Sequence, residues 1–171
     1  ENVRSALEQT LDDLRLDTLD LYLIHWPVAF ERGVDYPASP DEFVSLDEIP
    51  LTDTWAALEA LKADGLVRHI GVSNFSVPKL QLLIDAGDVT PEMNQIELHP
   101  YLQQPEMLSF AEEQGIPLTA YSPLGSKDRP ASMKADDEPV LLEDPTVHDI
   151  AAPHDASAAP VLISWPLHRA T

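Results

Sequence analysis

The stretch LDLYLIHWP over residues 19–27 sets a short apolar run directly before a histidine and a tryptophan. The run Leu19 to Ile24 is typical of a parallel strand that is covered on both faces. The segment before it, Glu1 to Arg15, has the apolar period of a helix. Its apolar positions lie on one helical face: Val3, Leu7, Leu11 and Leu14. A helix followed by a buried strand predicts an α/β protein.

The alternation of helix and strand repeats three times in the middle of the chain. The predicted helices begin near Asp53, Ser76 and Pro105 and end near Gly65, Gly87 and Gly115. The strands predicted to follow them are Val67 to Val72, Met93 to Glu97 and Ile116 to Tyr121. The acid- and proline-rich segment Val28 to Leu51 is predicted to be a long functional loop. The element lengths suit either an open doubly wound sheet or a closed barrel, and periodicity leaves both open.

The last third of the chain has a less consistent pattern. A loop from Ser122 to Asp144 leads to an amphipathic segment. Pro153 and Pro166 fall inside segments with a helical pattern, where an interior proline costs roughly 3 kcal/mol. Pro160 is better tolerated, because Ser157 can cap a new helix and place this proline in its first turn.

Composition excludes several classes of function. The chain has 171 residues, of which 44% are hydrophobic, as expected for one globular domain. It has no cysteine, which excludes disulfides, cysteine-based zinc sites and thiol nucleophiles. The net charge of −20 argues against nucleic acid as a partner, and the scattered acids predict a hydrated, halophile-like surface. The sequence shows no membrane span or signal peptide, so we expect a soluble, cytoplasmic protein.

Polar groups follow four of the predicted strands. The strand ends are His25-Trp26-Pro27, Ser73-Asn74-Phe75, Asn94-Gln95-Ile96-Glu97 and the run from Tyr121 to Ser126. In a barrel, the carboxyl ends of the strands form the face that carries active sites, so binding or catalysis is predicted here. No metal site is predicted, because the remaining histidines lack ligand spacing with carboxylates. Glu97 and His99 are predicted to serve structure near the third strand.

Four motifs closely resemble the aldo-keto reductases of the aldose reductase type. They are LDLYLIHWP over 19–27, GVSNF over 71–75, NQIELHPY over 94–101 and YSPLGS over 121–126. Their order and spacing are kept from residue 1 to about residue 169. The resemblance implies an α/β fold, the (β/α)8 TIM barrel, of which residues 1–171 form a partial domain covering roughly strands four to seven with their helices.

The resemblance also implies a function. The expected reaction reduces an aldehyde or ketone to an alcohol, with a small carbonyl compound as substrate and NADPH as cofactor, NADH being the alternative. His25 matches the histidine that donates a hydrogen bond to the substrate carbonyl and stabilises the developing oxyanion. Trp26 matches a wall of the substrate pocket. Ser73, Asn74 and Gln95 match the residues that hold the nicotinamide carboxamide, which needs both donors and acceptors.

The fourth motif implies the rest of the cofactor site. Tyr121 matches the aromatic ring that stacks on the nicotinamide and selects the face that delivers hydride. Ser122, Leu124 and Ser126 match the loop that holds the pyrophosphate with backbone N–H groups and hydroxyls.

The catalytic set of the family is incomplete in this sequence. The family uses a tetrad of Asp, Tyr, Lys and His, in which Tyr protonates the carbonyl oxygen and Lys with Asp lowers its pKa. Only the histidine is matched; the other three would precede Glu1, and the segment that binds the adenosine 2′-phosphate would follow Thr171. We therefore expect the chain to be inactive alone and to self-associate through exposed strand edges. The alternatives are a non-catalytic nicotinamide-binding subunit and the product of a decayed gene.

Overall fold

The computed structural model describes residues 2–34, 37–126, 129–130, 135 and 137–169. Parts of three predicted segments therefore lie outside the described residues: Glu1 of the first helix, Asp35 and Tyr36 of the first loop, and 127–128, 131–134 and 136 of the second. The chain divides into two compact units, Glu1–Asn94 and Gln95–Thr171. In the described part of the chain, no helix is both long and apolar enough to cross a membrane.

The first unit is built from helices and parallel strands, as predicted. Its helices are α1 (Asn2–Leu14), α2 (Leu51–Ala63) and α3 (Val77–Ala86). Its strands are β1 (Leu19–Ile24), β2 (Ala29–Phe30), β3 (Phe43–Val44) and β4 (Val67–Ser73). The strands β1 and β4 are parallel neighbours, with Leu19 opposite Val67 and Ile24 opposite Val72. The α/β organisation expected from the alternating pattern is confirmed.

The helices of the first unit bury most of the apolar residues that the helical period places on one face. Leu7 and Leu11 of α1 are buried, whereas Leu14 is 56% exposed at the end of the helix. In α2 the residues Trp55, Leu58 and Leu61 form a buried apolar face. The helix α2 begins at Leu51, slightly before the predicted start near Asp53, because Pro50 holds the extended backbone that precedes a first turn. Asp53 lies in that first turn, where its charge favours the helix dipole.

The strand β4 forms the buried centre of the first unit. Val67, Ile70 and Val72 are at most 2% exposed. The edge of β4 away from β1 is hydrogen-bonded to the residues that lead into the next strand. Glu92 N–H donates to Ile70 O at 2.9 Å, and Val72 N–H donates to Met93 O at 2.8 Å. Gly71 permits this approach, because a Cβ atom at position 71 would lie 2.6 Å from the Met93 carbonyl oxygen.

Two predictions for the first unit are wrong. None of the six residues of β1 is buried, although β4 pairs with the strand along one edge. The segment Val28 to Leu51 is not a continuous loop: β2 and β3 pair in antiparallel fashion, and a single 3₁₀ turn spans Pro40–Glu42. The rings of Phe30 and Phe43 meet edge to face across that hairpin, with centroids 5.2 Å apart.

The second unit repeats the same order. It holds most of β5 (Asn94–Glu97), which begins at the last residue of the first unit, and β6 (Leu118–Tyr121). Its helices are α4 (Pro105–Gln114), α5 (Pro145–Ala151) and α6 (Ala158–Leu167). Gly115 ends α4 in the left-handed conformation with φ 67°, as its position predicts.

The prolines of the second unit are accommodated in different ways. Pro153 lies outside α5, in a 3₁₀ turn over Ala152–His154. Pro160 lies in the first turn of α6, after Ser157, as predicted. Pro166 does lie inside α6, close to its end. A small apolar core supports these helices and consists of Leu141, Val147, Ala158 and Leu162.

Candidate active site

The end of β1 presents two adjacent rings. His25 and Trp26 follow the strand directly, and both are exposed, Trp26 to 50%. Their ring centroids lie 6.2 Å apart at an interplanar angle of 42°. An exposed imidazole beside an exposed indole provides a hydrogen-bonding group next to an apolar surface, which suits a small molecule with one polar atom.

The end of β4 is tied to the end of β1 by one side chain. Asn74 Nδ2 donates to the backbone oxygen of His25 at 3.0 Å and to Ser73 Oγ at 3.1 Å. Asn74 has φ 63°, a left-handed conformation that asparagine adopts more readily than most residues. The structure thus brings together three of the predicted site residues in the first unit, His25, Ser73 and Asn74.

A fourth residue at this end was missed as a site residue by the sequence analysis. Asn94 is fully buried, and its Nδ2 donates to the backbone oxygen of Phe75 at 3.1 Å. This bond fixes the turn that follows Ser73 and Asn74. The sequence placed Asn94 in a polar strand end and in the motif over 94–101, but it indicated no separate role for this residue.

In the second unit, Tyr121 ends β6 and is half-buried. Its backbone oxygen accepts from Leu98 N–H at 3.3 Å, which ties the strand end to the chain after β5. Partial burial, reinforced by the negative charge of Glu97, raises the pKa of the Tyr121 phenol above its usual value. The phenol therefore stays neutral and keeps its proton at physiological pH. Gln95, the second residue of β5, is half-buried as well.

The chain after Tyr121 forms a tight turn, here called the Ser122–Ser126 loop. Ser122 and Gly125 both have left-handed backbones, with φ 49° and 79°, and Gly125 N–H donates to Ser122 O at 2.9 Å. Ser126 Oγ donates to Glu97 Oε1 at 3.2 Å. Leu124 packs its side chain against the Leu141 core, so that only its backbone is offered to a ligand.

A cavity of about 450 Å³ adjoins this loop in the second unit. Its lining combines polar and charged side chains with apolar ones, among them Glu97, His99, Ser126, Arg129 and Leu141. Arg129 and Glu138 form an ion pair at its rim. A cavity of this size with a few placed polar groups is suited to part of a large ligand. In the described ranges, no group of three or more His, Asp or Glu side chains could hold a metal ion.

The sequence of the whole chain matches a known family. The model of the aldo/keto reductase family aligns with residues 1–171. The chain belongs to the aldo/keto reductase family. The resemblance read from the four motifs is therefore confirmed.

Individual aldo/keto reductases show how much of the family this chain covers. It is 52% identical over 169 residues to the aldo/keto reductase slr0942 of Synechocystis sp., covering 99% of this chain and 52% of that protein. It is 46% identical over 170 residues to aldo-keto reductase family 1 member A1 of Sus scrofa, with shares of 99% and 52%. The corresponding human protein is 45% identical with the same shares. The chain thus spans about half the length of the curated relatives it matches.

The residues of this aldo/keto reductase chain fit the parts of a nicotinamide dinucleotide. In the first unit, Ser73 and Asn74 carry a hydroxyl and an amide, and in the second unit Gln95 carries an amide, which are groups of the kind that can bind a carboxamide. The half-buried ring of Tyr121 can accept a stacked heterocycle on its exposed side. The left-handed turn of the Ser122–Ser126 loop is of the kind that directs backbone N–H groups toward an anion.

Proposed function

We propose that this chain is the substrate- and cofactor-facing part of a carbonyl reductase that converts aldehydes or ketones into alcohols. The main support is the hydrogen bond from Asn74 to the backbone of His25, 3.0 Å long. It links a residue matched to the nicotinamide carboxamide with the residue matched to the substrate carbonyl. A single bond would thus keep cofactor and substrate in register. NADPH is the proposed cofactor, with NADH as the alternative.

The proposed chemistry assigns a separate task to each side chain. When bound, the reduced nicotinamide supplies a hydride to the carbonyl carbon. His25 donates a ring N–H to the carbonyl oxygen and stabilises the negative charge that develops there. Trp26 excludes water from one side of the substrate. Ser73, Asn74 and Gln95 hold the carboxamide, and the neutral ring of Tyr121 fixes which face of the nicotinamide is turned to the substrate.

The proposed domain is one part of a (β/α)8 barrel, with residues 1–171 supplying roughly strands four to seven. Of the family tetrad, only His25 has a match in this sequence. We therefore propose that the 171-residue chain binds the cofactor without reducing carbonyls at an enzymatic rate. The alternative is a catalytically silent nicotinamide-binding subunit.

A chimera tests the proposed function. Residues 1–169 of this chain would replace the matching segment of the Synechocystis relative, which is 52% identical. We expect NADPH-dependent reduction of a simple aldehyde by the chimera. His25→Ala should lower kcat by about 10²–10³-fold, the usual effect of removing one oxyanion donor.

The matched control is His154→Ala, which removes an exposed histidine from the turn after α5. It should leave kcat unchanged. A folded chimera that binds NADPH but shows no turnover, while the parent relative is active, would instead support the silent-subunit alternative.

A further inference from the structure

Glu97 is the last residue of β5, and its carboxylate lies partly inside the second unit. The side chain is 23% exposed. Its Oε1 accepts the hydrogen bond from Ser126 Oγ at 3.2 Å and lies 3.0 Å from His99 Nε2. A carboxylate withdrawn from water is costly unless its oxygens are hydrogen-bonded. These two contacts therefore determine where the Glu97 carboxylate lies.

His99 contacts the same oxygen of Glu97 as Ser126 does. Its side chain is only 10% exposed, and its Nδ1 atom has no hydrogen-bond partner among the described residues. The backbone of His99 is bonded in both directions to Leu102, at 3.3 and 2.9 Å. Because a carboxylate only accepts, the Nε2 atom that faces Glu97 carries a proton. A buried ring fixed by its own turn thus holds the carboxylate in one orientation.

The Ser122–Ser126 loop is closely fitted at its far end. A Cβ atom at Gly125 would lie 3.3 Å from the Leu141 Cβ, so the loop backbone rests on the apolar core at that point. The next residue is Ser126, bonded to Glu97. A hydroxyl carries a single proton, and the Ser126 proton is directed at Glu97. In this arrangement the same proton cannot be donated to a phosphate oxygen.

We propose that Glu97 is a positioning residue that fixes the Ser122–Ser126 loop through Ser126. The Ser126 hydroxyl is then an anchor of the loop. The identity of the ligand that the loop binds rests on the proposed function. The anchoring of the loop by the bond from Ser126 to Glu97 does not rest on it. The negative charge of Glu97 also reaches Tyr121, where it adds to partial burial in raising the phenol pKa. The Glu97 carboxylate therefore acts on both parts of the proposed cofactor site in this unit, namely the Ser122–Ser126 loop and Tyr121.

Hydrogen–deuterium exchange of the 171-residue chain tests the anchor without any ligand. Ser126→Ala and Glu97→Ala should each speed exchange of the 124–126 amides about tenfold, as expected for loss of a hydrogen bond to a charged group. Glu97→Gln keeps an accepting oxygen, so its exchange should stay within about threefold of wild type. Glu112→Ala is the matched control, because it removes an exposed glutamate from α4. Its loop exchange should match wild type.

Calorimetric titration with NADPH separates the anchor from the proposed function. If wild type binds no NADPH while Ser126→Ala still speeds loop exchange, the proposed function fails and the anchor stands. If wild type binds NADPH, Glu97→Gln should bind it at least as tightly, because a negative charge near the phosphates is removed.

Unchanged loop exchange in Ser126→Ala would overturn the proposal, and this result remains decisive even if Glu97→Ala loses helical circular dichroism. The same variant could then also lose NADPH affinity. That outcome would make the hydroxyl a phosphate ligand.

Discussion

The side-chain amide of Asn74 bonds to the backbone oxygen of His25 across 3.0 Å, although 49 residues separate them in the chain. Asn74 is at the same time in the left-handed conformation, with φ 63°. The residue thus contributes in two independent ways. Its backbone makes the turn after β4, and its side chain fixes the turn after β1.

Substitutions at Asn74 separate these two contributions. Asn74→Gly keeps the left-handed turn but loses the bond, so the free energy of unfolding should fall by about 1 kcal/mol. Asn74→Ala loses the bond and adds a left-handed penalty of roughly 1–2 kcal/mol. Urea denaturation of both variants measures the difference. As a control, Arg15→Gly relieves a left-handed residue (φ 57°) at the end of α1 and should be neutral or stabilising. Equal stability of wild type and Asn74→Gly would contradict the assigned role of the bond.

The stability of the first unit should depend on pH through Glu92. Partial burial alone would raise the pKa of this carboxyl, but hydrogen bonds from Lys62, His69 and the Ile70 N–H outweigh it and lower the pKa to about 2. The Lys62 Nζ and His69 Nδ1 atoms lie 2.5 and 2.7 Å from its oxygens. A carboxyl whose pKa is lower in the folded state stabilises that state at pH values above its pKa in the unfolded chain. This contribution to stability is lost as pH falls from about 4.5 toward 2.

The variant Glu92→Gln measures this contribution. Between pH 5 and pH 2, the wild-type free energy of unfolding should fall by about 1–2 kcal/mol more than that of the variant, a figure reduced for partial exposure. Glu112→Gln, at an exposed position of α4, controls for the loss of one charge. Parallel pH profiles for wild type and Glu92→Gln would show that the network does not contribute.

The isolated chain should show negligible carbonyl reductase activity. A general acid typically contributes 10²–10⁴-fold, and no tyrosine of this sequence matches the one that serves the family. NADPH oxidation with a simple aldehyde, followed at 340 nm, measures the rate. Turnover at about 1 per second or faster would refute the expectation.

Ionic strength should change the association and compactness of the chain. The net charge of −20 opposes compaction, and salt screens it as the Debye length falls from about 30 Å at 0.01 M to about 3 Å at 1 M. Salt should also promote contact between the apolar strand edges of different chains. The strand β1 has such an edge, and its Leu21 is 38% exposed. We expect partial order or self-association at low salt and greater compactness at high salt.

Light scattering and far-UV circular dichroism across a salt series separate the two effects. Relief of repulsion raises the helical signal and reduces the particle size at constant molecular mass, whereas edge pairing raises the molecular mass. A monodisperse monomer with cooperative unfolding at low salt would show instead that the chain is a stable small binding module.

The sequence predicted the parts of the fold that depend on local patterns. The order of helices and strands follows from the period of the sequence, and the left-handed stop at Gly115 follows from the freedom of glycine. The hairpin between β2 and β3 was missed, because two-residue strands are too short to show alternation. The exposure of β1 was also missed. A run of apolar residues indicates that a strand favours burial, but it does not show which parts of the fold pack against that strand.

The candidate site also has features that the sequence predicted and features that it did not. Strand-end positions such as His25 and Ser73 follow from the order of the elements. The bonds that fix them join residues far apart in the chain, as in Glu97 with Ser126, 29 residues away. No local pattern encodes such a pair, because each partner is an ordinary polar residue until the fold brings them together.

The close approach at Gly71 has a consequence for protein engineering and for sequence drift. Exchanging a glycine for alanine is a common route to higher thermostability, because it restricts the unfolded chain. At position 71 the first atom added would strike a backbone carbonyl, which cannot rotate out of the way as a side chain can. The site is therefore closed to every other amino acid for reasons of space. A designer who scores only backbone angles would choose it in error, and mutation over time should leave this glycine in place.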